Sequence, residues 1–205
     1  MTSGAPDWSA RVTEVLPERR GHFVFESGHH GEIWLDLERL FVHPDRIRPL
    51  AEALAERLQH VGAEVVCGPL IEGAFVALMV AARLDLPFSY SEPTQGETEE
   101  GLFPISYPIP AGLHAELRGR RVAVVNDVIN AGSAVRGTLR SLEACGADPV
   151  AIGSLATHGD AARELAATHQ VALETLAAFP GRIWSPADCP LCARGVPYGT
   201  SRPAQ

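Results

Sequence analysis

From residue 63 onward, short apolar runs alternate with amphipathic stretches, and this rhythm constrains the chain more than any other feature of its sequence. Ala63-Glu64-Val65-Val66-Cys67 reads as a strand, followed by a Gly/Pro loop and a helix from Gly73 to Leu84. Phe88 to Ser91 reads as a second strand. Arg121 to Asn126 reads as a third, followed by a loop and a helix from Ser133 to Cys145. Pro149 to Leu155 forms a fourth, before a helix near Asp160 to His169 and a last strand near Val171 to Leu176. Such alternation implies right-handed crossovers and a parallel sheet covered on both faces. Ligands of these sheets bind beyond the carboxyl ends of the strands, where the strand order reverses.

The first 60 residues differ. Asp7 caps a short helix with apolar positions at Trp8, Val12, Val15 and Leu16. His22 to Glu26 and Glu32 to Leu37 flank Ser27-Gly28-His29-His30-Gly31 and read as a hairpin. Pro44 opens a helix with Ile47, Leu50, Ala51, Leu54, Leu58 and Val61 on one face. Two stretches break the later rhythm. Glu92 to Gly112 is rich in Pro and Glu and too long for a simple connection, with Phe103 to Tyr107 as a small edge strand within it. From Pro180 the tail is Pro/Gly-rich and irregular.

Charge and composition exclude several functions. A net charge of −8 opposes nucleic-acid binding, which rests on basic surface. All 17 basic residues are Arg, so a Schiff-base lysine, a lysine base and a Walker A motif are ruled out. No Gly-x-Gly-x-x-Gly follows any strand. The sequence carries no apolar run of membrane-spanning length and no secretory pattern near Met1, so the cytoplasm is the expected compartment. Cys67 and Cys145 lie in apolar settings and read as core residues.

Chemistry concentrates in Val122-Ala123-Val124-Val125-Asn126-Asp127-Val128-Ile129-Asn130-Ala131-Gly132-Ser133-Ala134. An apolar strand delivers a carboxylate to its end, and a small-residue turn then opens a helix. Backbone N–H groups and the helix dipole there suit a phosphate. Ser133 adds a hydroxyl, and Asp127 is placed to accept from sugar hydroxyls or approach a metal. A plain strand–turn–helix corner with Asp127 as a cap is the alternative.

This segment resembles the signature that binds phosphoribosyl pyrophosphate in type I phosphoribosyltransferases. The resemblance implies that Asp127 is the second acid holding the ribose hydroxyls, and that Asn130, Ala131, Gly132, Ser133 and Ala134 wrap the 5′-phosphate. Gly68-Pro69-Leu70-Ile71-Glu72-Gly73 resembles the family's pyrophosphate loop. Phe23-x-Phe25-x-Ser27-Gly28 with Trp34-x-Asp36 resembles the hood of orotate phosphoribosyltransferases, with Phe25 covering the base. The loop from Glu92 to Gly112 stands where those enzymes carry a mobile catalytic loop.

By resemblance, the expected structure is an α/β type I phosphoribosyltransferase fold: a Rossmann-like parallel sheet flanked by helices, with a small N-terminal hood and an irregular C-terminal tail. One domain is expected, with the hood over about 1–45, the core over about 46–180 and the tail over 181–205. The implied activity is Mg²⁺-dependent transfer of 5-phosphoribosyl from phosphoribosyl pyrophosphate to a nucleobase by a homodimer. The alternatives are a sensor of that donor or of a nucleotide on the same fold, and an unrelated Rossmann-like nucleotide binder.

The chain departs from the family pattern at defined places. Asn126 replaces the first acid, beside Asp127 as the other expected catalytic residue. The lysines that surround pyrophosphate in orotate enzymes are missing. Leu155-Ala156-Thr157-His158-Gly159 lacks the Arg that meets orotate's carboxylate, and Glu26 stands where some members are basic. These changes disfavour an anionic base and point to another acceptor or to lost turnover. Arg118, Arg120 and Arg121 precede their strand and are expected at the opposite edge of the sheet. His29 and His30 read as solvated turn residues or as cations at the hood.

Cys189-Pro190-Leu191-Cys192 supplies two of the four ligands of a structural zinc. Asp188, a histidine from elsewhere or a second subunit would complete that site. Unmetallated packing and a redox pair are the other readings.

Overall fold

The computed structural model describes residues 6–37, 40–95 and 105–199. In chain order the elements begin with helix α1 (Trp8–Val15), strands β1 (Glu18–Val24) and β2 (His30–Leu35), helix α2 (Pro44–Leu58), strand β3 (Val65–Pro69), helix α3 (Glu72–Leu84) and strand β4 (Phe88–Ser91). There follow β5 (Thr94–Gln95), β6 (Ile105–Ser106), α4 (His114–Leu117), β7 (Arg121–Ile129), α5 (Ser133–Ala144) and β8 (Asp148–His158). Helix α6 (Ala161–His169), β9 (Ala172–Phe179), β10 (Ile183–Trp184) and α7 (Pro190–Ala193) complete the chain.

The central sheet has five parallel strands in the order β4-β3-β7-β8-β9. After β3 the chain steps outward to β4, then returns to place β7 on the other side of β3. The carboxyl ends of β3 and β7 therefore flank the switch in strand order. Side chains alternate across β7: Ala123 and Val125 face a core built with α2 and α3, whereas Val122 and Val124 face a core built with α5 and α6. All four are fully buried, as a sheet covered on both faces requires. Cys67 and Cys145 are buried as expected, and burial pushes the Cys67 thiol up to about 12.

A second sheet, antiparallel in the order β1-β2-β10, forms the hood. The N-terminal helix is capped by Asp7, whose Oδ1 accepts from the Ala10 amide at 3.1 Å.

Three expectations need correction. Strand β7 runs past Asn126 to Ile129, and β8 runs to His158, because their ladder continues through Val128↔Ala156 and Ile129↔Thr157. The polar pair in the middle of β7 hides this continuation. The tail is less irregular than its Pro/Gly content suggests, since Ile183–Trp184 pair with β2 and Pro190–Ala193 form a helical turn. Of the edge strand expected over Phe103 to Tyr107, Ile105–Ser106 pair with Thr94–Gln95 and Tyr107 lies beyond the strand. Residues 103 and 104 lie outside the described residues, as do the acidic positions Glu97, Glu99 and Glu100.

Candidate active site

The carboxyl ends of β3 and β7 open into a pocket lined by Pro69, Leu70, Ile71, Glu72, Gly73, Asn126, Asp127 and the turn Asn130 to Ala134. Asn126 and Asp127 are both buried. The Asn126 amide is fixed: its Nδ2 donates to the Val128 carbonyl at 2.9 Å. Its Oδ1 faces Gly73, where an added Cβ would collide with it. Asp127 differs, because its Oδ2 is buried with no hydrogen-bond partner among the described residues. Burial pushes the Asp127 carboxyl up to about 7, opposed by the Val128 backbone N–H and reinforced by the charge of Glu72. An orphaned acceptor in a cleft is a site prepared for a donor.

The turn after β7 is shaped for close approach. Gly132 caps α5 at φ 75°, and a Cβ there would lie 2.6 Å from Leu165 Cδ1. No side chain caps α5, so its first N–H groups stay available at the positive end of a 12-residue helix. On the other wall, the Leu70–Ile71 peptide is cis and the Leu70 amide donates to the Ser91 carbonyl at 2.9 Å. Gly68 does not line the pocket. A Cβ there would lie 2.6 Å from Ala77 Cβ, so this glycine lets α3 pack on β3.

The hood closes the third side with Phe25, Glu26, Ser27, Trp34 and Leu35. Phe25 stacks on Trp34 at 6.2 Å between centroids and meets His158 edge-on at 6.4 Å. Tyr107 was not singled out by its sequence context, yet it lines the pocket and donates its hydroxyl to Glu26. Burial, followed by that acidic partner, raises the Tyr107 phenol.

Domain-level comparison matches residues 36–187 to the phosphoribosyl transferase domain. The chain belongs to the phosphoribosyltransferase family. It is 29% identical over 192 residues to an orotate phosphoribosyltransferase of Thermotoga maritima, covering 91% of this chain and 94% of that one. It is 30% identical over 177 residues to one from Pelotomaculum thermopropionicum, covering 86% of each chain. Among solved structures, the orotate phosphoribosyltransferase of Aeropyrum pernix superposes with a TM-score of 0.62 at 25% identity, over 83% of this chain and 93% of that one. The adenine phosphoribosyltransferase of Rhodothermus marinus, at 18% identity, shares the fold with a TM-score of 0.64 over 84% of this chain and 98% of that one.

This chain is thus a pentosyl-transferring enzyme, orotate phosphoribosyltransferase-like in sequence. The phosphoribosyltransferase has no lysine, so the placement of its arginines matters. Arg120 and Arg121 sit at the amino end of β7, bound to Glu64 and the Val61 carbonyl, across the sheet from the pocket. An adjoining cleft shares Ala131 with the pocket and carries His29, Arg136 and Arg182. His30 is not a solvated turn residue: it is buried, 3.2 Å from Cys192 Sγ. Asp188 accepts from the Ser185 hydroxyl at 2.6 Å. Among the described residues no helix is long and apolar enough to cross a membrane.

Proposed function

We propose that the enzyme moves the 5-phosphoribosyl group from magnesium-bound phosphoribosyl pyrophosphate to a ring nitrogen of orotate. The observation that carries this reading is the unpartnered Asp127 oxygen beside the uncapped start of α5. The names of the relatives support orotate as the base.

Asp127 accepts from the ribose hydroxyls, and Asn126 offers its Oδ1 beside them. Backbone N–H groups of Gly132, Ser133 and Ala134, with the α5 dipole, hold the 5′-phosphate, and Asn130 and Ala131 shape the turn. Pro69 to Gly73 border the pyrophosphate, and Phe25 covers the base. Magnesium enters as part of the substrate, and the hard oxygen donors of this pocket suit that ion. In the reaction the bond between the ribose C1 and pyrophosphate breaks, the leaving group takes the electron pair, and the base nitrogen bonds to C1 and gives up its proton to solvent. Catalysis here is positioning and charge stabilisation. A homodimer in the cytoplasm, as a step of pyrimidine synthesis, completes the proposal.

Two observations favour a neutral base instead: Glu26 faces the pocket, and residues 155–159 carry no Arg. The deciding measurement is pyrophosphate release with the donor, magnesium and either orotate or a panel of neutral bases. Orotate-dependent release supports the proposal. Release only with a neutral base moves the acceptor. No release from a protein that still binds the donor by calorimetry replaces the enzyme with a sensor.

A further inference from the structure

Four metal-ligating side chains that phosphoribosyl transfer does not use meet where the tail crosses the hood. His22 on β1, His30 on β2, and Cys189 and Cys192 at the start of α7 each bring one nitrogen or sulfur to within 4.8 Å of the others. Three are buried and Cys192 is half-buried. His22 Nε2 lies 3.4 Å from Cys189 Sγ and 3.7 Å from Cys192 Sγ. His30 Nδ1 lies 3.2 Å from both Cys192 Sγ and His22 Nε2. Around a tetrahedral zinc, with bonds of about 2.0 Å to nitrogen and about 2.3 Å to sulfur, ligand atoms stand roughly 3.3–3.8 Å apart. These four separations follow that spacing, and the remaining pairs lie within 4.8 Å.

The proton positions agree. His22 Nδ1 lies 2.8 Å from the Val196 carbonyl, which only accepts, so Nδ1 carries the hydrogen. Nε2 therefore presents its lone pair to the cluster, and the carbonyl orients the ring from outside as partners of metal-bound histidines do. The backbone around the cysteines is a tight knuckle, with the Ala193 amide donating to the Cys189 carbonyl at 3.1 Å and the Gly195 amide to the Cys192 carbonyl at 2.9 Å. Cys192 is thus held one helical turn from Cys189, with both sulfurs facing one point.

We infer that His22, His30, Cys189 and Cys192 bind one zinc ion as two neutral imidazoles and two thiolates. Zinc binding releases the two thiol protons to solvent. Four protein ligands leave no open position, so the ion is structural rather than catalytic. It clips the tail onto the hairpin beside its turn, where Phe25 to Ser27 line the pocket. The same junction is secured by the Gly199 amide donating to the His22 carbonyl at 2.7 Å, and by Trp184 pairing with His30. The inference is independent of which base the enzyme uses.

The test begins with protein purified under reducing conditions without chelator, analysed for metals by mass spectrometry. About one zinc per chain is expected, as a single closed site requires, and Cys189→Ser and His22→Gln should each abolish it. Because either variant could fail to fold, the unaltered chain supplies a second arm. Stripped of metal and titrated with Co²⁺, it should develop the intense visible bands of tetrahedral thiolate-bound cobalt, which zinc then removes. A metal-free preparation that also fails to produce those bands overturns the inference. So does a zinc content that survives both substitutions.

Discussion

At Asn126 the amide is held by its own strand: Nδ2 donates to the Val128 carbonyl two residues on. A carboxylate in its place would set an oxygen against that carbonyl with no proton between them, inside a buried site. Asn126→Asp should therefore destabilise the free enzyme by about 1–3 kcal/mol, the usual cost of a buried polar group losing its partner. Thermal or denaturant unfolding reads this directly, and equal stability of the two proteins would show that the carboxylate finds another rotamer. The same contact gives a physical reason for an amide at a position where the family's signature has an acid. Asp127 next to it is the opposite case, a buried acceptor still waiting for a donor.

Among elements, the junction of β7, α5 and α6 has little slack. Gly132 combines a left-handed backbone at φ 75° with direct packing against Leu165 of α6. Gly132→Ala should cost about 1–3 kcal/mol through strain and overpacking, and should raise the KM for the donor by moving the start of α5. Unchanged KM in a destabilised variant would separate this turn from phosphate binding. The strand that feeds the turn was legible from Val122 to Val125 because an apolar run ending at a helix start has few other readings. Its extension to Ile129 was not, since polar residues interrupt the pattern and only the pairing with β8 reveals it. Two-residue strands such as Ile183–Trp184 are too short to carry any period. The Glu26–Tyr107 contact spans 81 residues and the His22–Cys189 contact 167, distances over which local pattern says nothing. Cys189 and Cys192 were visible as half a site because their spacing is local; the histidines that face them were not.

For the molecule as a whole, the buried carboxyl of Asp127 sets a pH dependence of opposite sign to that of most acids. Ordinary ion-paired carboxylates are held low in the folded state and stabilise it as pH rises. Asp127 is pushed from an ordinary 3.8 up to about 7, mainly by burial. The folded state therefore holds its proton more tightly than the unfolded chain. Its favourable contribution is complete below about pH 4, where both states are protonated, and is lost as pH rises through about 7, at about 1.4 kcal/mol for each pH unit of separation. Without donor or magnesium, the enzyme should lose stability across that window. Asp127→Asn keeps the shape but has nothing to ionise, so its stability should fall less over the same range and exceed that of the unaltered enzyme above pH 7. Unfolding midpoints from pH 4 to 8 for both proteins test this, and parallel curves would refute it. Binding of the donor should reverse the effect in the unaltered enzyme alone, because the ribose hydroxyls give the ionised carboxylate the partners that the empty pocket lacks.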